Sequence, residues 1–315
     1  MNGLELARGY YEEYGRPMLE AEFKEILPYL AIGLVGSGSE RFGFDDEISQ
    51  DHDFEPGFCI FLPSEDVVNR RQEFLLERAY AKLPASYMDV KRQRISPVGG
   101  NRNGVIRTAD FYTKAIGAED GKLNIDAWLT IPDEALAEAV NGEVFVDSFG
   151  EFTEIRNRII NMPSDIKLKR LAGNLLIMAQ SGQYNFTRCI KHGENEAAQL
   201  ACNEFVSSAL KVYFLLSGRY KPYYKWAFRA LRSLGDGEVL ADKLSYILMQ
   251  NHTDEEIAQR KYDMIEDVAT QLIDILQAQN LTKATCGDLE KHAYSVNDQI
   301  SASDIRNMHI LATIR

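Results

Sequence analysis

Gly33-Leu34-Val35-Gly36-Ser37-Gly38-Ser39-Glu40-Arg41, followed by Ser49-Gln50-Asp51-His52-Asp53-Phe54-Glu55-Pro56-Gly57-Phe58, is the stretch from which the fold and the chemistry of this chain are read. Leu30 to Val35 is a short apolar run that stops at Gly36-Ser37-Gly38, the composition of a buried strand ending in a turn. Glycines there let backbone N–H groups close around phosphate oxygens, and the serines add hydroxyl donors. By itself a Gly/Ser turn is usually only a turn. No Gly-Lys-Ser/Thr follows, so it is not a Walker A loop, and it lacks the glycine spacing of a Rossmann fingerprint. The second half carries more weight. Side chains alternate along a strand, so Asp51 and Asp53 share one side while His52 points away. Two carboxylates on one face suit Mg²⁺, which takes oxygen ligands and commonly one or two protein carboxylates plus substrate phosphates. Asp-x-Asp alone is common on solvated loops. Here it stands between a strand-and-turn pattern and the apolar run Phe58-Cys59-Ile60-Phe61-Leu62.

This arrangement resembles the nucleotidyltransferase superfamily that includes DNA polymerase β, kanamycin nucleotidyltransferase and the aminoglycoside adenylyltransferases. Its members share a Gly-Ser turn, a strand carrying Asp-x-Asp, and a third carboxylate on a later strand. More narrowly, Asp51-His52-Asp53-Phe54-Glu55-Pro56 resembles the Asp-His-Asp-x-x-Pro form of an uncharacterised bacterial family with a helical C-terminal domain of unknown function. Two later segments are similar to that family's helical motifs: Gly182-Gln183-Tyr184-Asn185 with Arg188 following, and Tyr220-Lys221-Pro222-Tyr223-Tyr224-Lys225-Trp226. His192 departs from the pattern, where arginine is more usual.

The resemblance implies a site. Gly36, Ser37, Gly38, Ser39 and Arg41 would hold a nucleoside triphosphate, most simply ATP. Asp51, Asp53 and a third carboxylate would hold Mg²⁺ and act on the acceptor hydroxyl. Arg188, Lys221, Tyr224 and Lys225 would reach the nucleotide from the helical part. Asp126, in the alternating run Leu123-Asn124-Ile125-Asp126-Ala127-Trp128-Leu129, is the first choice for the third carboxylate, and Asp89 is the alternative. In either helical segment aromatic rings beside cations suit stacking on a base and neutralising phosphate. Each segment taken singly also reads as core aromatics with solvated lysines.

At 315 residues the chain has room for one large domain or two ordinary ones, and 45% apolar with 26% charged residues is the balance of a folded globular protein. No apolar run approaches a membrane span, and the N-terminus has no basic patch leading into an apolar core, so a soluble cytoplasmic protein is expected. Cys59, Cys189, Cys202 and Cys286 are widely spaced with no CxxC pair, which argues against a zinc site or a disulfide framework. A formal charge of −12 weighs against general affinity for nucleic acid and suits a small, metal-chelated substrate better. His252, His292 and His309 are isolated, and no Ser/His/Asp or Cys/His arrangement can be argued.

In chain order, residues 4–28 read as helical with a break near Gly15-Arg16-Pro17, followed by the two strands already described and a helix from Ser64 to about Leu83. Tyr87 to Ile95 reads as an exposed basic strand. Val105 to Thr108 is a short strand, Phe111 to Ile116 a helix, and residues 123–129 a strand. Pro132 opens a helix that ends before Gly142, and Glu143 to Asp147 is a last strand. From Pro163 on the pattern is helical, with helices near 194–217, 222–233, 236–250 and 254–279, the last capped by Thr253 with Glu256. The expected fold is therefore α+β: a nucleotidyltransferase-type mixed sheet with flanking helices over residues 1–160, then a helical bundle over 161–315.

Three function classes follow. The first is Mg²⁺-dependent transfer of a nucleotidyl group to a hydroxyl-bearing acceptor with release of pyrophosphate. The second is a regulatory module that binds nucleotide without turning it over. The third is a toxin-like transferase acting on RNA or protein, which the basic run Lys91 to Arg94 would serve.

Overall fold

The computed structural model describes residues 1–46, 54–92 and 102–313. The chain is α+β and divides into two compact units, Met1–Leu123 with Ala135–Asn161, and Asn124–Glu134 with Met162–Arg315.

The first unit opens with α1 (Gly3–Tyr10), whose N-terminus is closed by a reciprocal capping box between Asn2 and Glu5. The expected interruption near Gly15 takes the form of a π turn, Tyr11–Gly15, that runs into α2 (Arg16–Glu22). Then come β1 (Ala31–Leu34), the short α3 (Ser39–Phe42), β2 (Cys59–Leu62) and α4 (Arg70–Ala81). The hairpin strands β3 (Ser86–Tyr87) and β4 (Val90–Lys91) follow, then β5 (Gly104–Arg107) and α5 (Thr108–Ile116). After α6 (Ile125–Thr130), which belongs to the second unit together with the first two residues of α7 (Asp133–Val140), the first unit ends with the rest of α7, β6 (Glu143–Asp147) and α8 (Glu151–Ile160).

The main sheet has the order β5-β2-β1-β6. β1 is antiparallel to β2, with Ile32 opposite Ile60, and antiparallel to β6 with a bulge at Ile32/Gly33; β5 runs parallel to β2. Every residue of β1 and β2 is buried, as central strands covered on both faces must be. Tyr10, Leu19, Ile32, Phe58, Ile60, Leu76 and Tyr80 form the core beside them, and each aliphatic among them contributes about 1.5–3 kcal/mol by leaving water.

Among its described residues the second unit has helices joined by turns and no strand. Ser164–Met178 (α9) continues through a π segment, Ala179–Phe186, into α10 (Thr187–His192). The remaining helices are α11 (Asn195–Leu216), α12 (Tyr224–Arg232), α13 (Gly237–Met249), α14 (Glu255–Ala278), α15 (Leu289–Asn297) and α16 (Ser303–Asn307). Gly182 lies where a Cβ would come within 2.3 Å of the Phe205 ring, so the π segment and α11 approach at a distance only glycine permits. Lys169, fully buried on α9, spends its ammonium on Asn297 Oδ1 (2.9 Å) and on the carbonyls of Arg306 (3.3 Å) and Met308 (2.6 Å), which fixes the C-terminal helices to α9.

Four assignments differ from the sequence reading. The run expected as a strand over 123–129 is instead the helix Ile125–Thr130, because the Asn124 side chain accepts from the Ala127 amide at 2.8 Å and caps α6, burying Trp128 and Leu129 together. Arg170 then fastens this segment to α9 by donating to the carbonyls of Trp128 and Ile131 and to Asp133 Oδ1 (2.7 Å). Residues 64–68 form a turn, with the Val67 and Val68 amides on the Ser64 carbonyl, and α4 starts only after Asn69, which makes a capping box with Gln72. The cap of α14 is Asp254 rather than Thr253; its carboxylate accepts from the Glu256 and Ile257 amides. The expected strand Tyr87 to Ile95 begins instead in the tight hairpin Ser86–Lys91, and residues 93–95 lie outside the described residues. No helix is long and apolar enough to cross a membrane among the described residues.

Candidate functional site

The loop between β1 and α3 is built around one side chain. Arg41 is 2% exposed, and all five of its N–H donors are used inside the protein. Nε donates to the Val35 carbonyl (2.9 Å) and Nη1 to the Ser37 carbonyl (2.9 Å) and the Glu40 carboxylate. Nη2 donates to the Arg102 carbonyl (2.9 Å) and to Asn103 Oδ1 (2.8 Å). The sequence suggested Arg41 as a phosphate ligand; the structure leaves it no donor for one and makes it the scaffold of the loop. Asn141 completes the frame, accepting from the Gly36 amide (2.8 Å) and donating to the Gly36 carbonyl (2.6 Å).

Gly38, at φ 137°, turns the chain into α3, and a Cβ there would sit 2.4 Å from both Glu40 carboxylate oxygens. The frame leaves donors unspent. Ser37 is exposed, and neither its hydroxyl nor that of Ser39 is bonded to another described residue. No side chain caps the first turn of α3. The Ser37 and Ser39 hydroxyls beside the uncapped start of α3 are the kind of donors that a phosphate takes.

Asp51, His52 and Asp53 lie outside the described residues. The chain just past them is held to the loop: Asn103 Nδ2 donates to Glu55 Oε1 at 3.2 Å while its oxygen accepts from Arg41. Gly57 makes room for this contact, since a Cβ there would meet Asn103 Nδ2 at 2.7 Å. Next along, Tyr80 fixes the approach to β2 by donating to the Phe58 carbonyl (2.8 Å) and accepting from the Phe58 amide (3.0 Å). Burial raises the Tyr80 phenol far above its ordinary range and pushes the Cys59 thiol up as well.

The two candidates for a third carboxylate both stand off the sheet. Asp126 is exposed in the first turn of α6, in the second unit, and not mid-strand. Asp89 is at the tip of the β3–β4 hairpin, at φ 65°. β5, the strand parallel to β2, Gly104-Val105-Ile106-Arg107, carries no acid. Among the described residues no group of three His, Cys, Asp or Glu side chains is gathered in metal-binding geometry.

In the second unit the candidates separate into buried and exposed groups. Gln183 is structural: its amide donates to Glu266 and to the Gly287 carbonyl and accepts from the Leu289 amide. Arg188 is exposed on α10, its guanidinium 4.9 Å from the centre of the Tyr184 ring and bonded to the Tyr184 hydroxyl at 2.5 Å. Lys221 turns inward. It is buried, donates to the Pro222 carbonyl (3.0 Å), and is held below its ordinary range by burial, against the attraction of Glu134 and Asp133. Tyr224 (74% exposed) and Lys225 are exposed at the start of α12, with the Tyr223 ring 4.4 Å from that of Tyr224.

Glu40, Asn103, Asn141 and Tyr80 carry no local signal in the sequence. Their roles depend on partners as many as 105 residues away. Residues 128–227 match a family model described as a domain of unknown function (DUF4037). No curated protein and no solved structure matches the chain. The matched stretch is similar to that family from α6 through the start of α12, and includes Arg188, Lys221, Tyr224 and Lys225.

Proposed function

We propose that the chain binds a nucleoside triphosphate with Mg²⁺ at the Gly36–Ser39 loop and transfers its nucleotidyl group to a hydroxyl-bearing acceptor, ATP being the simplest donor. The observation that carries this reading is the Arg41–Asn103–Glu55 relay, which ties an open Gly/Ser phosphate turn to the chain immediately following Asp51-His52-Asp53. The phosphate donors of the loop and the chain at Glu55 thereby belong to one piece of structure, two residues past the proposed metal ligands in sequence.

In this reading the Ser37 and Ser39 hydroxyls and the first α3 amides hold the terminal phosphates. Arg41 keeps the loop in shape and offsets the Glu40 charge, so the cradle meets the phosphates without net repulsion. Asp51 and Asp53, two hard oxygen donors two residues apart, have the chemistry that Mg²⁺ takes. When bound, Mg²⁺ supplies the positive charge that neutralises the reacting phosphates. Arg188, Tyr224 and Lys225 are exposed in the helical unit, while Lys221 is buried there. The setting is expected to be cytoplasmic.

The test is calorimetric titration of ATP, CTP, GTP and UTP with Mg²⁺ into the wild type and the Asp51→Asn/Asp53→Asn double variant. Mg²⁺-dependent binding that disappears in the variant is the expected result, and equal binding by both proteins would remove the metal-site reading. A second reading, nucleotide binding without transfer, draws on the absence of an acid from β5 and the off-sheet positions of Asp126 and Asp89. Pyrophosphate release in the presence of acceptor-containing extract separates the two.

A further inference from the structure

A second candidate site lies in the first unit, away from the Gly-Ser loop in sequence. The π turn Tyr11–Gly15 and the β3–β4 hairpin face each other across a cleft of about 500 Å³ lined by Glu13, Tyr14, Tyr87, Met88, Asp89 and Lys91. Both walls are irregular. The hairpin turns through Met88 (φ 45°) and Asp89 (φ 65°), the left-handed pair of positions that Asn-Gly usually fills. Methionine gains nothing locally from that conformation, so the tertiary structure imposes it.

The floor is aromatic and rigid. Tyr14 and Tyr87 meet edge-to-face, ring centres 5.9 Å apart at 89°, forming a corner. Fully buried Tyr10 packs behind both, at 5.5 and 5.7 Å, and is itself anchored to the Pro84 carbonyl at 2.7 Å. Gly9 receives the Tyr87 hydroxyl at a distance where a Cβ would stand 2.7 Å away. The rim is charged: Glu13, Asp89 and Lys91 surround the corner, and none is ion-paired with another described residue.

An aromatic corner with carboxylates at its rim favours a positively charged guest, since aromatic rings attract cations and the carboxylates complete the attraction. Two carboxylates against one ammonium leave a single net negative charge at the rim, which one cationic group balances. We propose that this cleft binds a small monovalent organic cation, an alkylammonium whose hydrocarbon lies against Tyr14 and Tyr87 and whose charged head faces Glu13 and Asp89. Lys91 sets the charge count and disfavours diamines. The site does not depend on the nucleotide reading.

The experiment is titration of the full chain at low ionic strength with butylammonium, choline, putrescine and inorganic phosphate, followed by calorimetry and by the tyrosine ring signals in NMR. Saturable binding of the monovalent cations, tighter than putrescine, is expected. Asp89→Asn, which keeps a residue tolerant of the left-handed turn, should weaken it about threefold to fivefold, the range of a solvent-exposed charge contact. Lys91→Gln should tighten the monovalent cations and bring putrescine level with them or ahead. No saturable binding of either monovalent cation, binding indifferent to Asp89→Asn, or preferential binding of phosphate that Lys91→Gln abolishes would each overturn the proposal.

Discussion

Replacing Arg41 by methionine tests the scaffold role of that side chain directly. The substitution keeps an unbranched chain of similar reach but removes five hydrogen bonds, and it takes the Arg41 counter-charge from a Glu40 carboxylate whose side chain is 12% exposed. Removing one partner of a buried ion pair costs about 3–5 kcal/mol, because the remaining charge keeps its desolvation penalty and loses its compensation. In a unit of about 150 residues that corresponds to a fall of about 6–20 °C in the unfolding midpoint. Arg41→Lys keeps the charge but offers three donors in place of a planar fork, so an intermediate loss is expected. Comparing Arg41→Met, Glu40→Gln and the double variant in a double-mutant cycle reads the coupling between the two side chains. The assay is urea and thermal unfolding followed by circular dichroism, with nucleotide titration alongside. A midpoint unchanged in Arg41→Met, with nucleotide affinity lost, would refute the scaffold argument and make Arg41 a ligand contact.

Other substitutions probe different links. Tyr80→Phe deletes the hydroxyl that both donates to and accepts from Phe58, leaving a buried amide without its partner at the approach to β2; a loss of about 1–3 kcal/mol is expected in urea unfolding. Burial raises the phenols of Tyr80, Tyr112 and Tyr220 in the folded state, whereas unfolded tyrosine ionises near pH 10. The folded state therefore holds these protons longer, so their stabilising effect is complete below about pH 10 and is lost as pH rises toward the folded values. Tyr112→Phe gives up only a long 3.4 Å contact to the Phe152 carbonyl, so it should cost less than about 1 kcal/mol at neutral pH and show a shallower alkaline loss in urea midpoints measured from pH 8 to 11. Lys225→Ala, at an exposed position, should weaken nucleoside triphosphate binding with stability held within about 0.5 kcal/mol; a fall in midpoint with affinity intact would make the residue structural.

Elements whose residues pair with near neighbours were legible in the sequence. Leu30 to Val35 closing on Gly36-Ser37-Gly38 reads as a strand and turn, and β1 with its loop is found there. The helices from Ser164 onward follow from 3.6-residue periodicity with polar punctuation, and their extents lie close to those expected. The failures are also local. Leu123 to Leu129 alternates in polarity like a strand, yet one capping bond from Asn124 and the burial of Trp128 beside Leu129 decide for a helix. A short apolar run cannot distinguish these periods without its surroundings.

What the sequence by itself determined is the α+β succession, the position of the Gly-Ser turn and the residue types of the candidate phosphate and metal ligands, because these follow from side-chain chemistry and local periodicity. What only the tertiary structure decided is which polar groups are already committed. Arg41 and Lys221 read in sequence as free cations, but one is enclosed by acceptors from residues 35 to 103 and the other is buried against the Pro222 carbonyl. The cleft between Tyr14 and Tyr87 joins segments some 70 residues apart that share no local pattern. A donor's availability is a property of everything packed around it, and that information is carried by contacts between distant residues, not by their spacing along the chain.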